Sequence, residues 1–225
     1  MTTQWQLDQL RDGVKINHPS RAKELISLIN SLARSREIFD YHKCLARDAF
    51  EAFNVTNDPD GMSFANRIFG IEDDDGVLWQ AGIVSEANFI ACTTITRSSF
   101  DSFGQLVNQL MLTKPCKANP YVQEVAKALS HGELKEELSA AISSEWFAYI
   151  QAFSNTVKHR QLITHNPSLS FIDENRGGKV EGFDYKGHYH PACWVMEALE
   201  GTVQLQNSLV ACGKALNRAY LCAIN

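Results

Sequence analysis

From Val77 to about Leu112 the chain runs without a proline, and apolar residues keep a helical period on both sides of the stretch. Phe89, Ala91, Ile95, Phe100, Phe103, Leu106 and Val107 surround a face carrying Glu86, Ile90, Thr93, Thr94, Arg97, Asp101, Gln105 and Asn108. A helix apolar on both sides needs cover on both sides, so this one is predicted to be central, with other helices around it. Gly82 and Gly104 predict a bend or a close helix contact within it. Lys114-Pro115 ends it.

The flanking segments supply the cover. Residues 3–12 predict a short first helix with Trp5, Leu7 and Leu10 as its apolar side. Asn17-His18-Pro19-Ser20 is a start signal, and Leu25, Ile26, Ile29, Leu32, Ala33, Leu45, Ala49 and Ala52 then keep the helical period to Phe53. Asn57-Asp58-Pro59-Asp60-Gly61 is turn chemistry, with a short helix near 63–69 after it. Asn119-Pro120 opens a helix over 121–129. One long helix is predicted over 133–160, and a last one from Pro191 to about Cys222. Between them Leu169 to Asp173 alternates, Glu174 to Gly178 reads as a turn, and Lys179 to Tyr185 continues, which predicts a hairpin. The expected fold is mainly α: a multi-helix bundle of long helices with one inserted β-hairpin at about 169–185. A single domain over 1–225 is expected, its weakest seam at 113–120.

The net charge is −5, so any nucleic-acid contact must be local, and DNA binding is not expected. No apolar run approaches membrane-spanning length, and Met1 to Asp12 holds no apolar core of signal-peptide length, which predicts a cytoplasmic protein. The six cysteines form no CxxC pair and are expected to be reduced and mostly buried, Cys92, Cys212 and Cys222 within apolar helical patterns. The acid run Glu72 to Asp75 reads as a solvated loop. His188, His190 and Cys193 are metal-ligand types without an evident fourth member, and no cofactor or metal is expected. The chain holds no Gly-x-Ser-x-Gly elbow, phosphate-binding glycine loop or His-Glu-x-x-His pair.

Two polar groups remain as candidates. Arg97 and Asp101 lie four apart, either as an internal pair that locks helix register or as part of a binding face. The second is Asn155, Lys158, His159, Arg160 and His165 at the end of the third long helix. Cations there complement the negative end of the helix dipole. The same set is sufficient in kind for metal-independent RNA cleavage, in which the ribose 2′-hydroxyl attacks its own phosphodiester. That reaction asks for a base, an acid and a cationic clamp, and no protein nucleophile.

Arg160-Gln161-Leu162-Ile163-Thr164-His165 resembles the Arg–polar–three–His motif of HEPN domains. These are all-α, usually dimeric domains, many of them ribonucleases of toxin–antitoxin and anti-phage systems. The resemblance implies Arg160 as phosphate ligand, His165 as catalytic or orienting histidine, RNA as substrate and a second copy as partner. His159 joins the catalytic candidates, while Asn155, Lys158, Arg97 and Asp101 are substrate-binding candidates. The motif departs from the family at Gln161, where Asn, Asp or His is usual, and Asn166-Pro167 puts His165 beyond the helix. Segments 86–88, 97–101 and 155–160 are also similar to stretches of uncharacterised bacterial helical proteins. The alternative is a non-catalytic helical module that docks another protein or a small ligand, with the 155–165 group as a helix cap.

Overall fold

The computed structural model describes residues 4–54, 56–72, 76–172 and 175–222. Among them lie eight α-helices and five short strands: α1 Leu7–Asn17, α2 Ala22–Asp48, α3 Met62–Ile68, α4 Val77–Leu110, α5 Val122–Ala128, α6 Glu133–Ile142, α7 Glu145–His159 and α8 Val195–Cys222. The strands β1 His165–Ser170, β2 Asn175–Val180, β3 Phe183–Tyr185, β4 His188–His190 and β5 Cys193–Trp194 all fall between α7 and α8. The protein is therefore mainly α with an inserted β element, as the periodicity predicts. No helix among the described residues is long and apolar enough to cross a membrane.

The chain divides into two compact units. One comprises residues 1–38, 95–148 and 203–225, the other 39–94 and 149–202. The stretch 113–120 lies inside the first.

In the first unit Leu10, Val14, Leu25, Ile29, Phe103, Leu106, Val107, Leu138 and Leu216 are buried. Trp5 lies outside α1, which begins at Leu7 and runs five residues beyond the expected end. The indole meets Phe103 edge-on at 5.8 Å, and its N–H donates to Asn217 Oδ1 at 2.9 Å. Gly213 makes this possible, since a Cβ there would come within 2.3 Å of the indole. Gly104 serves a close contact too: a Cβ on it would sit 3.0 Å from the Val122 Cα. Asn108, fully buried, accepts the Cys116 N–H at 2.8 Å and fixes the turn after α4.

The expected helix over 133–160 is two helices. Ser144 interrupts it: its hydroxyl accepts the Phe147 N–H at 3.2 Å and donates to the Ala141 carbonyl at 2.8 Å. A serine at that position caps the next helix instead of continuing the last one. Likewise α2 ends at Asp48, with a single 3₁₀ turn over Glu51–Phe53.

The second unit holds all the strands. The sheet order is β1-β2-β5, antiparallel throughout, and β3 and β4 form a separate two-stranded ribbon. The single hairpin expected over 169–185 is thus replaced by three pairings in two sheets. Ser170 faces Asn175, so Phe171 and Ile172 begin the connection instead of extending the strand. Asn175 to Gly178, read from the sequence as a turn, are strand residues. Asp173, Glu174 and the acids Asp73 to Asp75 lie outside the described residues. The last helix begins at Val195, because Cys193-Trp194 pairs with β2 first.

The 57–61 turn behaves as predicted. Asp58 is buried and accepts the Ser63 and Phe64 N–H groups at 3.1 and 3.0 Å, capping α3. Gly61 takes a left-handed φ of 72°. Arg176 of β2 donates to the Asp58 carbonyl at 2.5 Å and lies 3.4 Å from its carboxylate. Phe53, Phe64 and Leu78 form a small core beside this cap, with Phe50, Ile68 and Leu169 against it.

Among the cysteines, Cys92 and Cys212 are buried, and burial pushes both thiols up to about 12. Cys222, expected inside, is exposed, as is Cys44.

Candidate functional site

Lys158 and His159 occupy the last turn of α7, and Arg160 follows at once with its N–H on the Thr156 carbonyl at 2.9 Å. All three side chains are exposed, while Asn155, one turn back, is half-buried. The Arg160 guanidinium lies over the Tyr185 ring, 5.5 Å from its centroid. Lys186 approaches the same ring at 5.3 Å. Such cation–π contacts contribute about 0.5–1 kcal/mol each at exposed sites, enough to bias the orientation of the two cations.

The β3–β4 turn presents Tyr185 and its neighbours. Lys186 and Gly187 have φ of 52° and 79°, the two positive angles of a tight two-residue hairpin turn. Tyr185 pairs across the ribbon with His188, which is exposed. Tyr189 is 59% exposed and offers a ring to solvent. The surface thus gathers Arg160, Lys186, Tyr185 and His188, with Lys158 and His159 adjoining in sequence. Asp184 is an exposed carboxylate on the same ribbon. The helix end is legible in the sequence as a candidate, whereas the β3–β4 ribbon is a finding of the structure. The signal was Lys186-Gly187 between two short aromatic runs.

His165 stands elsewhere. It opens β1 with a side chain only 1% exposed, edge-on to Phe89 at 5.5 Å and Phe153 at 6.1 Å. Its Nδ1–H donates to the Ile163 carbonyl at 2.9 Å, and Nε2 is buried without a hydrogen-bond partner. Burial lowers its pKa from 6.5 to about 4, so the ring is neutral near pH 7. Glu86 Oε1 lies 4.0 Å from Nδ1, its own pKa raised by burial. The two ends of the Arg160–His165 motif are therefore not brought together: one is in solvent and the other in a core.

Arg97 and Asp101 belong to the first unit, residues 155–165 to the second. The two side chains form an ion pair at 2.6 Å, with Arg97 9% and Asp101 33% exposed. The guanidinium also lies 5.5 Å over the Phe147 ring. Cutting one partner of such a pair strands the other charge. Asp101→Ala is expected to cost about 2 kcal/mol, below the full range for buried pairs because Asp101 is part-solvated. The exposed Arg218–Glu133 pair is expected to contribute under about 1 kcal/mol. Urea unfolding of Asp101→Ala and Glu133→Ala checks the contrast, and equal losses would refute the structural role of Arg97.

His188, His190 and Cys193 have separate surroundings. His190 is buried, stacked on Phe183 at 4.9 Å, and burial lowers its pKa, with His188 adding to the effect against Asp184. Cys193 donates its thiol to the Tyr149 hydroxyl at 3.2 Å. Burial raises the Cys193 pKa, which leaves a thiol and not a nucleophilic thiolate at neutral pH. Among the described residues no three His, Cys, Asp or Glu side chains gather as a metal site. Compared with known proteins, the chain matches no family model, no curated protein and no solved structure.

Proposed function

We propose that this protein binds single-stranded RNA on the exposed surface made by the end of α7 and the β3–β4 turn, and cleaves it there without a metal ion. The observation that carries the reading is the pair of solvent-facing cations, Arg160 and Lys186, on the one Tyr185 ring. A chain of net charge −5 that gathers cations, imidazoles and aromatic rings at one place has a local means of attracting phosphate. Arginine clamps phosphate oxygens, and the Tyr185 ring beneath the two cations is a surface on which a base can stack. His159 and His188 are exposed imidazoles available as base and acid. His165 is left out of the chemistry because it is buried. The resemblance to HEPN domains extends the reading to a cytoplasmic ribonuclease of bacterial defence or growth arrest.

Fluorescence anisotropy with a labelled RNA oligonucleotide tests the surface. Arg160→Ala and Lys186→Ala are each expected to weaken binding about tenfold and to lower the salt slope by about one. Unchanged affinity in both variants would remove the surface from consideration. Cleavage in EDTA, read by cyclic-phosphate ends, tests the chemistry.

A second reading rests on apolar exposure. Trp79 and Ile83, one turn apart on α4, are 69% and 47% exposed. The HEPN resemblance makes a second copy of the chain the occupant proposed for this face. Light scattering is expected to give a dimer for the native chain and a monomer for Trp79→Glu. A native monomer at about 100 μM would end that reading.

A further inference from the structure

The outer side of α2 carries a regular pattern. Arg34, Ile38, Tyr41, Leu45 and Asp48 recur at steps of four, three, four and three, which places them along one face of a single unbroken helix. All five are exposed, and Tyr41 at their centre is 63% exposed. The core side of the same helix is a different stripe, made by Leu25, Ile29, Leu32, Phe39 and Ala46. A single exposed apolar residue is ordinary, but three in register on an outer face make a seam for another helix.

Within the second unit α2 lies beside α4. His42 Nδ1 and Asn88 Oδ1 are 2.7 Å apart, and the Cys92 thiol lies 3.9 Å from the Phe39 carbonyl, so the two helices run antiparallel. The exposed stripe of Trp79 and Ile83 continues at Ala87, next to the Asn88 that meets α2. The outer faces of the two helices therefore adjoin.

The charges on α2 name the occupant. Arg34 and Asp48 end the stripe, each seven residues from Tyr41. A two-fold axis at Tyr41, with the second α2 antiparallel, sets Arg34 of one copy against Asp48 of the other, and does so twice. Ile38 and Leu45 then flank the central ring from both copies. Opposite charges at mirror positions make the stripe complementary to itself, whereas a stripe of one sign would suit a nucleic acid or a lipid surface. Both ends are free to exchange partners. Arg34 bonds Glu37 at 2.5 Å and Asp48 bonds Arg47 at 2.6 Å, and exposed pairs of this kind contribute little.

We propose that a second copy of this chain seats on α2 and α4 together, its α2 antiparallel across a two-fold axis at Tyr41, with Arg34 of each copy against Asp48 of the other. The inference rests on the second-copy reading of the Trp79 and Ile83 face, and gives that dimer its axis and register.

Charge exchange in the full chain tests it, with the dimer dissociation constant read by light scattering and folding by circular dichroism. Tyr41→Glu is expected to be a folded monomer at about 100 μM. Arg34→Asp sets two carboxylates together at each end, and Asp48→Arg two guanidinium groups, so each is expected to weaken the dimer about tenfold or more. An equimolar mixture of these two variants restores both opposite-charge pairs, and is expected to recover native affinity as a heterodimer. Native affinity in both single variants, or no recovery in the mixture, would overturn the register. A dimer that persists in Tyr41→Glu and is lost in Trp79→Glu would overturn this inference and leave the Trp79 reading standing. A native monomer would overturn both.

Discussion

RNA incubated with this protein in EDTA is expected to be cut to fragments with cyclic-phosphate ends, and His159→Ala to slow the cutting by about a hundredfold or more. The reaction needs little from the protein. A base takes the proton of the ribose 2′-hydroxyl as its oxygen attacks phosphorus. The phosphorus–oxygen bond to the next nucleotide breaks, and an acid protonates the departing oxygen. A cation holds the phosphate oxygens while charge shifts among them. His159, beside Arg160 at an exposed helix end, can meet substrate; His165, behind Phe89 and Phe153, cannot. The decisive comparison is therefore between two histidines six residues apart. His165→Asn keeps a donor for the Ile163 carbonyl and is expected to retain cleavage wherever it stays folded. Loss of cleavage in a folded His165→Asn, with His159→Ala active, would reverse the assignment and return the chemistry to the motif histidine. A requirement for Mg²⁺ would remove the mechanism altogether.

Why the sequence pointed to His165 is instructive. A histidine beside Thr164, Asn166 and Pro167 looks like loop, and nothing in that neighbourhood announces burial. The decisive partners, Phe89 and Phe153, lie far off along the chain and come close only once α4, α7 and β1 assemble. Long helices were legible for the opposite reason: the apolar period of α4 and α8 repeats over many turns, and one ambiguous residue does not blur it. Breaks were harder. Ser144 is compatible with the helical period, and only its capping bond to Phe147 shows it as a boundary. Gly177-Gly178 suggested a turn by composition. The structure uses Gly178 in a strand because Ser85, Val195 and Phe50 leave no room for a side chain. Glycine reports a need for space or for unusual dihedrals, and sequence alone does not say which. The Asp58–Gly61 turn was readable because its cap, its proline and its left-handed glycine are all local.

Acid is expected to destabilise this protein through His165 well before its exposed carboxylates are all protonated. In the folded chain the imidazole has its pKa lowered to about 4, against 6.5 when exposed, because burial disfavours the charged ring. Between those values the unfolded chain binds the proton and the folded chain does not. Stability from the neutral ring is therefore complete above pH 6.5, drains as pH falls, and is gone below about pH 4. The shift corresponds to roughly 3 kcal/mol, a large fraction of a typical domain's stability. With its side chain 1% exposed, the ring has little solvent screening to reduce that figure. Two other groups modify the slope. His190, lowered by burial, adds in the same direction. Glu86, raised by burial, takes up its proton first in the folded chain, so its contribution grows as pH falls and opposes the histidines. Urea unfolding of the native chain, His165→Asn and Glu86→Gln at several pH values between 7 and 4 separates the His165 and Glu86 contributions. His165→Asn is expected to be less stable at pH 7 and much flatter with pH, and Glu86→Gln steeper than the native chain. Parallel pH profiles for the native chain and His165→Asn would show that the ring takes its proton without cost, which an imidazole sealed between two phenylalanines cannot do.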